Sequence, residues 1–345
     1  MALAQQIQLQ GSDAGARERA RRIAGSPALI VVGRRLLSAI VVVWGVTFMT
    51  FVVLSALPND TAQVLLGLHA TPADVARLNH ALGLDEPFPV RYWHWLVSVL
   101  HGNLGTDLEG ASVNSQLAQH LPVTMELLAY ALVGSVVLAL IVAVLAARKP
   151  GGIADRVSTA ISLLGLSAAP YVVALLLIIV ASVELNLFPV QSNSLGSGSV
   201  LSFVQQGTLP AASLGFPLFA IFTRLLRADL LDQMQREDYI VTAKAKGISP
   251  WQVLVRHALR NSLYNLITVI GLNLGQLIGA LAIIETIFSV PGIGSELLTA
   301  LGNKDIPLIE GITLVFAVVT VLGNLLADLM YAVLDPRIRH GRAQS

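Results

Sequence analysis

Apolar residues fall in long, nearly unbroken blocks, separated by shorter polar stretches. A membrane-spanning helix needs about 20 mostly apolar residues, and six blocks reach that length. They run Leu36 to Leu57, Leu121 to Ala147, Val157 to Val183, Leu209 to Leu226, Leu263 to Ser289 and Gly311 to Leu334. The pattern predicts an all-α membrane protein with six transmembrane helices. Composition supports it: 54% of the 345 residues are hydrophobic and 12% charged, against about 25% charged in soluble domains, and mean hydropathy is +0.71. The first block follows a basic region, as a signal peptide would. It is longer than the roughly 7–15 residues of a signal core, and "VVLSALPND" has no A-x-A cleavage site, so it reads as an uncleaved span.

Lys and Arg set the orientation. Nineteen of the 22 lie before span one, between spans two and three, around the inner end of span four up to span five, or after span six; the rest are Arg77, Arg91 and Lys304. The positive-inside rule then places both termini in the cytoplasm. Residues 58–120 become a large external region between spans one and two, with "TPADVARLNHALGLD" as a capped short helix. Residues 191–199, "QSNSLGSGS", read as a flexible external loop. Residues 1–33 read as a flexible cytoplasmic tail, or one held at the membrane surface by charge; 34–339 form the membrane domain and 340–345 a short C-terminal tail. A net charge of +1 gives no sign of a nucleic-acid partner. With no cysteine, thiolate catalysis and thiolate metal sites are excluded.

One cytoplasmic stretch is out of character. Residues 236–262 include "DYIVTAKAKGISPWQVLVRHALRNSL". Ser249, Pro250 and Gln252 stand at N-cap, N1 and N3 of a helix, a capping box with proline where its missing N–H is harmless. Trp251, Leu254, Val255, Ala258 and Leu259 then fall on one helical face. Arg236 to Lys246 has no helix breaker, and Gly247 stands where a helix ends in a left-handed residue. The stretch reads as helix, glycine turn, capped helix: a compact elbow. A DNA-binding helix-turn-helix does not fit a segment pinned at both ends by spans. A membrane-surface helix over 251–260 fits part of it, and a docking elbow for a cytoplasmic partner fits all of it.

The elbow resembles the cytoplasmic Ala–Gly loop of binding-protein-dependent ABC importer permeases, E-A-A-x3-G-x9-I-x-L-P. Val241, Thr242 and Ala243 stand at E-A-A, Gly247 at the glycine, and His257 to Arg260 at I-x-L-P. The Glu, first Ala, Ile and Pro of the generic form are absent. "RRLLSAIVVVWGVTFMTFVV", "ARLNHALGLDEP", "HGNLGTDL", "LPVTMELL", "ETIFSVPGIG" and "YAVLDPRIR" resemble, in order, the first permease subunit of the dipeptide/oligopeptide/nickel type, across about residues 34–339. The resemblance implies a type I ABC importer permease fold and a heterodimer with a homologous second permease. It also implies two cytoplasmic ATPases binding ATP and Mg, and an extracytoplasmic substrate-binding protein. Within the elbow it implies an ATPase-coupling helix over 239–250, with Tyr239, Thr242, Ala243, Lys244, Gly247, Ser249 and Pro250 at the contact. Independently of the resemblance, the chain contains no G-x4-G-K-[ST], so ATP hydrolysis of the P-loop kind must belong to a partner.

Polar residues inside spans are costly and face the bundle interior or a water-filled path. Span five carries Asn265, Thr268, Asn273, Gln276 and Glu285 among Gly271, Gly275 and Gly279. Asn273, Gln276 and Glu285 are candidates to line a path, where amides would suit a peptide backbone; helix packing accounts for the same residues. Asp328, with Asn324 one turn before it, is expected to pair with Arg224 or Arg227 and hold an inner gate. Pro170 and Pro217 are expected to kink spans three and four. His69, His80, His94, His101 and His120 lie in the outer region without metal-site spacing. Two other classes remain in view. A secondary transporter would need ion-coupling residues at mid-membrane and inverted repeats; an intramembrane enzyme would need a catalytic constellation. Neither pattern is visible, and no catalytic residue can be named. Within the importer class, peptides, nickel chelates and glutathione stay open as cargo.

Overall fold

The long apolar blocks become long helices. The structure, a computed structural model, describes residues 27–56, 71–73, 86–192, 195, 200–236, 240, 242 and 245–334. The helices along it are α1 (Pro27–Ala56), α2 (Phe88–Leu100), α3 (Val113–Arg148), α4 (Ile153–Ser167) and α5 (Pro170–Glu184). Then follow α6 (Val200–Arg236), α7 (Pro250–Ile287), α8 (Ile293–Asn303) and α9 (Ile306–Leu334). Among the described residues the only β pairing is a single bridge, Thr106 with Ser112. Five of the helices are long and apolar enough to cross a membrane, and α4 with α5 makes a sixth crossing if the pair is one span.

That pair corrects the expected third span. In place of one kinked helix over 157–183, α4 and α5 meet at 113°. Pro170 opens α5, and Ala169 before it is extended, with φ −69° and ψ 142°. A residue preceding proline is pushed out of the helical region, and proline cannot donate the N–H that would continue the ladder. The fourth span behaves differently: α6 continues as one helix through Pro210 and Pro217. Span one also starts early. Residues 27–33, expected in the tail, already belong to α1. The rest of that tail, most of the predicted 71–85 helix and the C-terminal tail lie outside the described residues.

Close helix approach organises the bundle. α3 and α6 meet at Gly215, where any Cβ would strike Ser135 Oγ and the Ala131 carbonyl. Ser135 Oγ donates to both the Ala131 and Gly215 carbonyls, at 2.6 and 2.8 Å. Ala131, Ala139, Ala143 and Ala147 continue the buried seam of α3. Between apolar helices in lipid, van der Waals contact and such interhelical hydrogen bonds take the place of the hydrophobic drive. The loop expected to be free after α5 is pinned where it is described. Ser192 N–H donates to the Phe288 carbonyl at 2.8 Å, its Oγ donates to the Gln206 carbonyl at 2.6 Å, and Leu195 is buried.

Candidate functional site

The elbow joins α6 to α7. Of its predicted contact residues, Tyr239, Ala243 and Lys244 lie outside the described residues. Thr242, Gly247, Ser249 and Pro250 are described and exposed. The elbow is anchored from within: Ile240, Val253, Leu254 and Ala258 are buried in the main core, with Ile248 packed against it. Lys246 N–H donates to the Thr242 carbonyl at 3.1 Å, closing the turn. Gly247 follows at φ +79°, with open space where a Cβ would sit. L-residues other than glycine reach this region at a cost. Ser249 Oγ then accepts the Gln252 N–H at 3.4 Å, the N-cap half of the predicted box.

The predicted apolar face of this helix needs correction. Trp251 and Val255 are exposed, whereas Val253, Leu254 and Ala258 are buried. Residues Leu254–Ala258 form a π-helical turn, which holds one more residue than an α-turn and rotates everything after it. Trp251 is covered from outside the helix instead: the Arg148 guanidinium, at the end of α3, stands 5.5 Å from its ring centroid. After the π turn α7 runs on to Ile287 without a break. The second arm of the elbow, from Pro250, and span five are one continuous rod.

Polar bonds tie the elbow end of α7 to its neighbours. Asp229 on α6 accepts from Asn265 at 3.0 Å and from Gln233 at 2.9 Å. Gln233 also donates to Ser262 Oγ at 3.2 Å. Arg227 pairs with Asp155 on α4, whose other oxygen accepts the Gly151 N–H at 2.8 Å. The observed partner of Arg227 is therefore Asp155; the side chain of Asp328, the expected partner, lies outside the described residues. Asp155 is buried, so its charge needs a cation. Arg224 is exposed.

The far end of α7 carries a second polar assembly. Glu285 is fully buried. Its Oε1 accepts from Thr124 Oγ1 on α3 at 2.7 Å, and its Oε2 accepts the N–H groups of Gly294 and Ser295 at 2.8 and 2.9 Å. Thr124 Oγ1 in turn accepts the Ile293 N–H at 2.9 Å. These are the first, second and third helical positions of α8, whose N-cap, Gly292, has no side chain to offer. A carboxylate from another helix thus does the capping. The glycines follow from it: a Cβ on Gly292 would overlap the Glu285 carboxylate, and one on Gly294 would crowd Glu285 and the Ala282 backbone. "ETIFSVPGIG" and "LPVTMELL" are legible as motifs, but only the fold brings Thr124 to Glu285. Glu285, expected among the path candidates, is buried with both oxygens occupied by these bonds.

The remaining path candidates stand on α7 between these ends. Gln276 is exposed, and Asn273 is half-buried with its Nδ2 donating to the Val269 carbonyl at 2.7 Å. Gln276 belongs to an exposed stripe with Asn265, Thr268, Leu272, Gly279, Ile283 and Thr286. Among the described residues no three histidine or acidic side chains converge as a metal site. His94 lies 3.3 Å from Glu86 and His120 3.5 Å from Glu296.

Long apolar helices joined by a glycine elbow define a multi-pass membrane protein. Residues 135–340 match the family of binding-protein-dependent transport system inner membrane components, and residues 29–127 match the N-terminal region of that membrane component. The chain belongs to this family: it is a multi-pass inner-membrane permease subunit of ABC transport, not an enzyme. Among its relatives is a probable peptide ABC transporter permease protein of Sinorhizobium fredii, 36% identical over 312 residues, covering 90% of this chain and 99% of the relative. The dipeptide transport system permease protein DppB of Escherichia coli K12 is 35% identical over 321 residues, covering 86% and 94%. The glutathione transport system permease protein GsiC of Pectobacterium atrosepticum is 32% identical over 308 residues, covering 89% and 98%.

Proposed function

We propose that this chain is one half of the translocation pathway of an ATP-driven peptide importer of the type I permease fold. It pairs with a homologous second permease. An extracytoplasmic binding protein delivers dipeptides or oligopeptides to one face, and two ATPase subunits, which bind ATP and Mg, drive the other. Both termini and the elbow are cytoplasmic, in keeping with the concentration of Lys and Arg on that side. The observation that carries the reading is the elbow: an exposed glycine turn, anchored by buried Ile240 and leading directly into the α7 rod at Pro250. Residues 239–250, with Tyr239, Thr242, Ala243, Lys244, Gly247, Ser249 and Pro250, dock on an ATPase. Closure of the ATPases on ATP then biases the permease between inward- and outward-open states through that rod. Asn273 and Gln276 line the path; neutral amides both donate to and accept from a peptide backbone.

The cargo reading rests on the named peptide and dipeptide relatives. Glutathione, itself a peptide, is the second reading, supported by the glutathione permease relative; nickel chelates are a third. The test is Gly247→Trp in the assembled transporter. We expect normal membrane insertion, loss of transport, and loss of substrate-stimulated ATPase activity. Nothing among the described residues occupies the space a side chain would enter. Gly247→Asn, which tolerates positive φ with a small side chain, separates backbone strain from docking. Normal transport by a stably inserted Gly247→Trp overturns the docking assignment.

A further inference from the structure

Helix α2, Phe88–Leu100, lies outside the six spans, and its surface divides into three sectors. At about 100° per residue, Phe88, Tyr92, Trp95 and Val99 share one side. Val90, Trp93, Leu96, Val97 and Leu100 share a second, and Arg91, His94 and Ser98 the third. The first sector is packed. Phe88 and Tyr92 meet Phe48 and Phe51 of α1 edge-on, with ring centroids 5.3–5.7 Å apart, and Trp95 lies 6.3 Å from Phe51. The second sector is largely uncovered: Val90 is exposed, Trp93 is 62% and Leu100 78% exposed, and Leu96 and Val97 are half-buried. The third is polar, with His94 beside Glu86 and Arg91 over the Phe51 ring at 5.5 Å.

The position on α1 says what covers the bare sector. Phe48 and Phe51 precede the end of α1 at Ala56 by eight and five residues, roughly 12 and 8 Å at the helical rise. That places α2 near one edge of a hydrocarbon layer about 30 Å thick. The face of α1 that receives α2 continues away from it as bare apolar side chains, Trp44, Val41, Ile40 and Leu37, the last two 66% and 63% exposed. In an inner-membrane protein such a face meets acyl chains, and the uncovered sector of α2 prolongs it. A helix with one apolar and one polar side, and Trp at the boundary, lies in the interface plane with its apolar side roughly 5–10 Å deep.

We propose that α2 is an interfacial helix: its Val90/Trp93/Val97/Leu100 side is seated in the headgroup–acyl boundary of one leaflet, the outer one by the charge pattern. His94 and Ser98 face water, and the aromatic sector clamps the helix to α1. The occupant of the bare sector is phospholipid.

The absence of native cysteine makes the test direct. Single cysteines replace Trp93, Val97, Leu100, His94 and Ser98 in turn. Each variant is nitroxide-labelled and reconstituted, as the full chain with its co-purifying subunits, in phosphatidylethanolamine/phosphatidylglycerol vesicles. Collision with oxygen, which concentrates in lipid, is compared with collision with a water-soluble nickel chelate. Labels at 93, 97 and 100 should favour oxygen, and those at 94 and 98 the chelate. If 93, 97 and 100 favour the chelate, that side is an aqueous surface. If they are shielded from both reagents, it is a protein interface. Either result overturns the proposal. Because 97 and 100 report independently, loss of the Trp93 variant alone leaves the test intact.

Discussion

The two ends of α7 are built on opposite plans. At the elbow end the backbone turns through an exposed glycine, a π turn interrupts the α-helical register, and the polar ties reach partly exposed side chains such as Asn265. At the far end every donor at the start of α8 is met by a buried group, and two glycines exist because a carboxylate occupies the space beside them. An end meant to receive a separate protein must leave surface and donors free. An end that only holds its own chain together can consume all of them. The contrast matches the assignment of docking to the elbow, and it separates residues whose loss costs function from those whose loss costs stability.

The sharpest break of this comparison is Gly247→Trp: transport falls to background while the purified protein loses only the roughly 1–2 kcal/mol that a left-handed L-residue costs. Glu285→Ala should do the reverse. It strands Thr124 and two N–H groups of α8 in a buried site, and each buried donor left without an acceptor should cost about 1–3 kcal/mol. Glu285→Gln, which keeps one carbonyl acceptor, should recover part of it; thermal unfolding in detergent reads both. Equal stability of Glu285→Ala and wild type would remove the contrast.

Smaller effects sharpen it. Asp155→Ala and Arg227→Ala should each destabilise, and a double-mutant cycle should return a coupling of about 1.5–3 kcal/mol, the range of hydrogen bonds to charged groups. Arg148→Ala should cost only about 0.5–1 kcal/mol, the worth of an exposed cation–π contact, yet it frees Trp251 and so should weaken coupling more than stability.

The smallest effect is a pH dependence outside the spans. Asp305 accepts the Leu108 and Leu308 N–H groups at 3.0 and 3.2 Å. Burial pushes its carboxyl above the usual range, against those bonds and with help from nearby Asp107 and Glu109. A group with a raised folded-state pKa contributes stability that is fully present below its unfolded value and lost as pH rises through the folded one. The 104–112 loop should therefore exchange its amide hydrogens less readily, after correction for intrinsic rates, at acid pH than at neutral pH. Asp305→Asn should flatten that dependence.

Much of this was legible from the order of residues. Span count and approximate position follow from block length, because a bilayer accepts only helices whose backbone satisfies itself. The glycine turn and the Ser249 cap are local chemistry and appear where the spacing puts them. Other features were not readable, each for a physical reason. The 113° break needed the extended conformations of Ala168 and Ala169, where a proline alone leaves both a kink and a continuous helix open, as Pro217 shows. The buried face of the elbow helix, Val253, Leu254 and Ala258, is chosen by the core packed beneath it, which the periodicity of the helix alone does not show. Helix α2 escaped because its three sectors blur a two-sided pattern.

The sequence by itself determined which segments are apolar enough to cross, which side carries the cations, and where the backbone must turn. Those are properties of segments a few residues to a few turns long, set by solvation and local dihedral preference. Only the tertiary structure decided that Arg227 belongs to Asp155 and Trp251 to Arg148. It alone showed that Glu285 is a cap for α8. A polar group inside a membrane must find some partner; which one it finds depends on which helices stand side by side, and that is written in no single stretch of the chain.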